Sequence, residues 1–160
     1  MSNRTAHHYM RAYQMAVWER VRKNFLANKD DLCMGSVKRH KRALNLINEF
    51  IDMYQNKSKN WISIMHYIEN THDGNERAHM LDDDLSEFLE ENFKNGRFNN
   101  TAIFLFSDHG TRFSKERLTP QGGLEERMPF FSIYLPEWYF EKYPQKYKNL
   151  IRNSQQLTTW

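Results

Sequence analysis

Asn100-Thr101-Ala102-Ile103-Phe104-Leu105-Phe106-Ser107-Asp108-His109-Gly110 joins an apolar, β-forming run to a polar turn. A short run of this kind, bounded by turn formers, reads as a strand buried in a sheet. Upstream, Trp61-Ile62-Ser63-Ile64-Met65-His66-Tyr67-Ile68 has the same character and ends in Glu69-Asn70-Thr71-His72-Asp73. Between the two, Leu81, Leu85, Phe88 and Leu89 fall on one helical face, and Asn95-Gly96 supplies a helix stop. Strand, helix and strand in this order, within about fifty residues, predict a parallel βαβ unit. Beyond it the sequence predicts a long polar loop over 108–127 and a third strand over 129–135. A helix over 138–153 follows, interrupted near Pro144.

The first third of the chain has a different pattern. Met10, Tyr13, Val17 and Val21 recur at helical spacing and predict a helix over about 6–28, ended by a polar stretch with Asp30, Asp31 and Gly35. Leu44, Ile47, Ile51 and Tyr54, flanked by Ala43, Leu46 and Phe50, predict a second helix with a broad apolar face. The expected fold class is α/β: a helical segment, 1–57, followed by a βαβ core, 58–160.

Composition narrows the function classes. With 160 residues, 39% hydrophobic and 27% charged, the chain can bury one core and has the balance of a folded protein. A net charge of +3 is too small to imply a nucleic-acid or membrane partner. No apolar run approaches a membrane span, and the first residues lack the apolar stretch of a signal peptide. Cys33 is the single cysteine, which fits a reducing compartment or a piece of a larger oxidised protein. Lys38-Arg39-His40-Lys41-Arg42 is a basic cluster; the reading preferred over a polyanion patch is the solvated start of the second helix.

Ligands in parallel α/β sheets bind beyond the carboxyl ends of the strands. Both predicted strands end in His/Asp pairs there, so the pairs meet if the strands are neighbours. Asp108 offers a carboxylate oxygen and His109 an imidazole nitrogen, which suits a divalent metal. Mixed O and N donors favour Zn or Mn over Ca. Asp-His-Gly also suits an ordinary loop after any strand, and Asp-Gly dipeptides are common turn formers.

Residues 100–110 resemble the segment of the alkaline phosphatase superfamily that ends in a metal-binding Asp-His pair. Gly123-Leu124-Glu125-Glu126-Arg127-Met128-Pro129, with the strand after it, is similar to the sulfatase segment in which an Arg and a Pro lead into a strand. Ser107-Asp108-His109-Gly110-Thr111-Arg112-Phe113 and Leu124-Glu125-Glu126-Arg127-Met128-Pro129 resemble most an uncharacterised metazoan branch, a domain-of-unknown-function family of sulfatase-like proteins. The resemblance extends over nearly the whole chain.

It implies part of a three-layer, alkaline-phosphatase-like domain with a mostly parallel sheet, in an extracellular or secretory setting. Asp108 and His109 match the superfamily's metal-ligand pair, and His72 falls where a histidine binds either metal or the substrate's charged oxygens. Arg112 could face an anionic ester. The sulfatase lysine has no counterpart, since Thr119 stands at its position with Lys115 and Arg117 close by. No catalytic nucleophile is identifiable, and Cys33 lacks the sulfatase Cys-X-Pro-X-Arg setting. The expectation is a fragment of a metal-dependent phospho- or sulfo-ester hydrolase-like protein, not catalytically complete alone. The alternative is a non-catalytic interaction module derived from the same fold.

Overall fold

The computed structural model describes residues 6, 8–24, 32–55, 57, 59–72, 74–113 and 115–156. Among the described residues the chain is mixed α/β, with helices predominating and two small antiparallel sheets. Helix α1, Arg11–Asn24, is followed by a hairpin of β1, Cys33–Met34, and β2, Val37–Lys38. Helix α2 spans Arg39–Tyr54 and α3 spans Asp82–Lys94, with a 3₁₀ turn, Ala78–Leu81, ahead of α3. Strand β3, Ile103–Phe106, pairs with β4, Phe131–Tyr134, and α4, Pro120–Arg127, lies between them in sequence. The chain then forms α5, Glu137–Lys142, and α6, Pro144–Gln156.

Helices α2 and α3 lean on one another through polar contacts that advance in step. Lys38 and His40 meet Asp84, Lys41 meets Glu87, Asn48 meets Asn92, and Asp52 meets Arg97. Contacts that rise together along both helices mean that the helices run in the same direction, so residues 55–81 carry the chain back from the end of one to the start of the other. The apolar contribution comes from Leu32, Leu44, Ile51 and Phe98, all buried. Phe98 meets Phe93 edge-on at 5.1 Å, and Phe93 meets Tyr134 at 4.7 Å, which links α3 to β4. Trp138 on α5 adds a hydrogen bond from Nε1 to Asn99 O, 3.0 Å.

Asp84 is the centre of the α2–α3 contact. Its buried carboxylate accepts from Lys38 Nζ at 2.7 Å and His40 Nε2 at 2.7 Å, and Lys41 Nζ lies 3.2 Å away. A carboxylate only accepts, so Nε2 is the donor nitrogen of His40. The Lys38 hydrogen bond is the largest influence on Asp84 and outweighs burial; with help from His40 and Lys41 it holds the carboxyl far below the usual aspartate range.

Several sequence expectations hold. The helix stop falls at Gly96, whose φ of 68 is the left-handed conformation that suits glycine, with its N–H on Phe93 O at 3.0 Å. The break at Pro144 also holds: Tyr143 leaves the helical region, and Pro144 opens α6, where its missing N–H has no role. The expected first helix is shorter, since Ala6 and residues 8–10 are not helical and residues 25–28 lie outside the described residues.

Two expectations need correction. Residues 61–68 form no ladder among the described residues, and the sheet that contains β3 is antiparallel, with Ile103 opposite Tyr134 and Phe106 opposite Phe131. Among the described residues, therefore, no parallel strand pairing is present. The physical reason is that side chains hold the segment to α2. Trp61 packs edge-on against Phe50 at 5.5 Å, and the Tyr67 ring lies 6.1 Å from that of His40. Ile62 and Ile64 point away from the chain, 84% and 87% exposed. The predicted polar loop over 108–127 also contains helix, a 3₁₀ turn, Lys115–Leu118, and then α4. Thr119 caps α4 by accepting from Gly122 N at 3.0 Å, and Pro120 occupies the first turn, a start strong enough to override two glycines.

Asp84→Asn should lower the unfolding free energy by about 1–3 kcal/mol at neutral pH. That is the cost of lost charge-assisted hydrogen bonds when the half-exposed lysines return to water. Because the folded carboxyl is depressed, its contribution is complete above the unfolded value of about 3.9 and fades as the pH falls below it. Urea unfolding of both proteins between pH 7 and pH 2 should show the gap closing in acid. A gap that is constant with pH would count against the carboxylate as its source.

Candidate functional site

The pairing of β3 and β4 delivers Asp108 and His109 to their position. Ser107 N donates to Phe130 O at 2.9 Å, and Phe130 N donates to Ser107 Oγ at 3.1 Å, so the two chains stay together one residue beyond the strands. Gly110 then turns against the end of α4, its N–H on Glu126 O at 3.0 Å. A Cβ at Gly110 would stand 2.3 Å from the backbone oxygen of Glu125, so this close approach admits only glycine.

That turn fixes the histidine. His109 Nδ1 is 2.6 Å from Gly110 O, and since a carbonyl only accepts, Nδ1 carries the proton. In the neutral ring Nε2 therefore holds the free lone pair. It lies 3.6 Å from Asp108 Oδ2, while Asp108 Oδ1 accepts from His109 N at 3.0 Å. Two donors each about 2.1 Å from one tetrahedral ion stand about 3.4 Å apart, so the observed spacing suits two ligands of one metal. A second-shell hydrogen bond that sets the tautomer is also what metal-ligating histidines use. Desolvation is the largest single influence on Asp108 and works against its ionisation; attraction to His109 and His66 when their rings are protonated, with the N–H groups of Asp108 and His109, together hold its carboxyl below the usual range.

His72 lies on the adjoining loop, its ring 6.1 Å from that of Phe113. Its neighbour Asp73 lies outside the described residues. Among the described residues no three His, Cys, Asp or Glu side chains converge on a point that a metal could occupy, so His72 does not join Asp108 and His109 in a shared ligand set. Arg112 places Nε 3.5 Å from Glu126 Oε1, and Arg117 donates Nε to Glu126 Oε2 at 2.6 Å. The Arg117 hydrogen bond is the main cause of a depressed Glu126 carboxyl, against a smaller opposing effect of burial. Thr119 serves as the α4 cap, and Cys33 is half-buried in the β1–β2 hairpin. The basic cluster is largely used inside the protein: Lys38, His40 and Lys41 go to Asp84, and Arg42 donates Nε to Tyr13 Oη at 2.9 Å.

Sequence reasoning missed two members of this region. Glu126 was submerged in an acidic pair within a presumed loop; the Thr119-Pro120 start, a recognisable cap signature, would have put it on a helix. His66 lies within the 61–68 run, and no pattern in the sequence ties it to Asp108.

The family model described as "Protein of unknown function (DUF229)" matches residues 2–160, and the chain belongs to that family. No curated protein and no solved structure matches it.

Gly110→Ala should displace the Asp108–His109 loop, because the added methyl group meets backbone and not a movable side chain. Overpacking of this kind costs about 1–3 kcal/mol. Urea unfolding should show that loss, and the His109 ring resonances should shift by NMR. Unchanged His109 signals would mean that Gly110 does not position the ring.

Proposed function

We propose that this member of the DUF229 family supplies part of the site of a metal-dependent phospho- or sulfo-ester hydrolase-like protein, with Asp108 and His109 as two ligands of one divalent ion. The observation that supports this most directly is the 3.6 Å spacing of His109 Nε2 and Asp108 Oδ2, with Nδ1 committed to Gly110 O. The mixed donor set favours Zn or Mn over Ca. An ion bound there would polarise an ester oxygen. The chain's own contribution is to hold the donors at the end of β3 by the Ser107–Phe130 pairing, keep the imidazole in the ligating tautomer, and set His72 on the next loop. The resemblance of 100–113 and 123–129 to alkaline-phosphatase-superfamily segments supports the same reading.

The same resemblance leads us to place β3 and residues 61–68 in one larger, mostly parallel sheet of an alkaline-phosphatase-like domain. Two features favour it. Helices α2 and α3 run in one direction with 61–68 returning between them, which is the course of a crossover in a parallel α/β sheet. Ile62, Ile64, Phe104 and Phe106 are also exposed, an apolar surface that a further sheet layer or strand would cover.

Two protein ligands hold an ion weakly and cannot by themselves align an ester for in-line attack. Zinc binding, measured by competition with a chromophoric chelator, should therefore be modest and fall at least tenfold in Asp108→Ala and in His109→Ala. Aryl phosphate, phosphodiester and sulfate substrates should show no turnover above the metal-only background with Zn, Mn, Mg or Ca. Zinc affinity that ignores both substitutions would remove the metal assignment. Turnover abolished by Asp108→Ala would reveal a nucleophile in the chain.

A further inference from the structure

We infer that Glu126 is the positioning residue of an oxyanion receptor formed by Arg112 and Arg117, built to take the tetrahedral anionic group of a phosphate or sulfate ester beside Asp108 and His109. The inference deepens the proposed function and rests on it for the placing of the ester; the receptor itself is argued from the arginines.

Arg112 comes from the loop that follows the Asp-His pair, and Arg117 comes from the 3₁₀ turn before α4. Left alone, two guanidinium groups on separate segments repel and adopt unrelated rotamers. Here one carboxylate gathers both. Glu126 Oε2 accepts from Arg117 Nε at 2.6 Å, and Oε1 lies 3.5 Å from Arg112 Nε. The Glu126 side chain is only 13% exposed, whereas those of Arg112 and Arg117 are 52% and 51% exposed. Among the described residues no other acceptor engages either guanidinium, and each half-exposed side chain keeps N–H donors beyond those given to Glu126. Braced guanidinium forks suit the oxygens of phosphate and sulfate, since less rotamer freedom is lost on binding. The backbone of the same residue fixes where the receptor sits, because Glu126 O accepts Gly110 N at 3.0 Å and so ties α4 to the loop that carries Asp108 and His109.

This arrangement makes a prediction opposite to simple electrostatics. Glu126→Gln removes a negative charge next to two arginines, which by Coulomb attraction alone should strengthen anion binding. If Glu126 positions them, the substitution weakens it. The test is titration of inorganic phosphate, and separately of sulfate, into the full chain at fixed ionic strength, followed by calorimetry or by backbone NMR of residues 108–127. Wild type should bind at least one of the two anions. Arg112→Gln, Arg117→Gln and Glu126→Gln should each weaken that binding at least fivefold, and Lys115→Gln, an exposed neighbour outside the receptor, less than twofold. A preference for phosphate or for sulfate indicates which ester class the receptor takes. No binding by wild type, unchanged or tighter binding by Glu126→Gln, or an equal loss in Lys115→Gln would overturn the inference. Should Glu126→Gln not fold, the two arginine variants decide, and unchanged affinity in both overturns it. Zinc titration separates this proposal from the metal reading: zinc affinity should survive in Glu126→Gln, while zinc binding indifferent to Asp108→Ala alongside intact phosphate selectivity would count against the metal ligands and not the receptor.

Discussion

One buried carboxylate determines how helices α2 and α3 meet. The first turn of α2 is Arg39-His40-Lys41-Arg42, with no acidic residue in it, so cations crowd the helix end where the backbone dipole is already positive. Asp84 sits in the first turn of α3, where the dipole favours an acid, and faces that cluster. Its charge therefore relieves an unfavourable end of one helix while occupying a favourable end of the other. Asn48 and Asn92, and Asp52 and Arg97, continue the contact further along. The common direction of α2 and α3 follows from this register, and with it the return path of 61–68 and the point from which the chain enters β3.

At the far end of that path the fold relies on backbone proximity more than on side-chain burial. The Asp108–His109 loop is tied to β4 through Phe130 and to α4 through Glu126; both ties have a main-chain hydrogen bond, with the Ser107 hydroxyl added at the first. Side chains in this region are consequently free for polar tasks. The depressed carboxyls of Asp108 and Glu126 reflect this: at Asp108 several smaller attractions together outweigh desolvation, the largest single influence there, and at Glu126 the Arg117 hydrogen bond leads.

The sequence made periodic and punctuated features legible. The apolar face of α3, the stop at Gly96 and the interruption at Pro144 are set by local chemistry, and they appear where spacing and residue type placed them. Asp84 was hidden among three consecutive aspartates, although helical phase singles it out: it lies one turn from Leu81 and Phe88 on the apolar face, while Asp82 and Asp83 are exposed. The 61–68 run was less legible. A run of β-formers states a preference for extension but not for a partner, and here Phe50 and His40 compete for its aromatic residues. For the candidate site, Asp108 and His109 were visible as a strand-end pair. The Glu126 bridge was not, because it depends on a helix whose glycines disguised it.

The in-step contacts between α2 and α3 have a kinetic meaning as well. The Lys38–Asp84, His40–Asp84 and Asn48–Asn92 contacts span sequence separations of 46, 44 and 44 residues. Closing a loop of this size carries an entropic cost that grows only with the logarithm of its length, so the first such contact bears nearly all of it and the later ones are almost free of it. The helix pair is thereby set to assemble in one cooperative step and to come apart in one. Local helix propensity in α2 then has little influence on the folding rate beside the search that brings Asp84 to the opposite helix end.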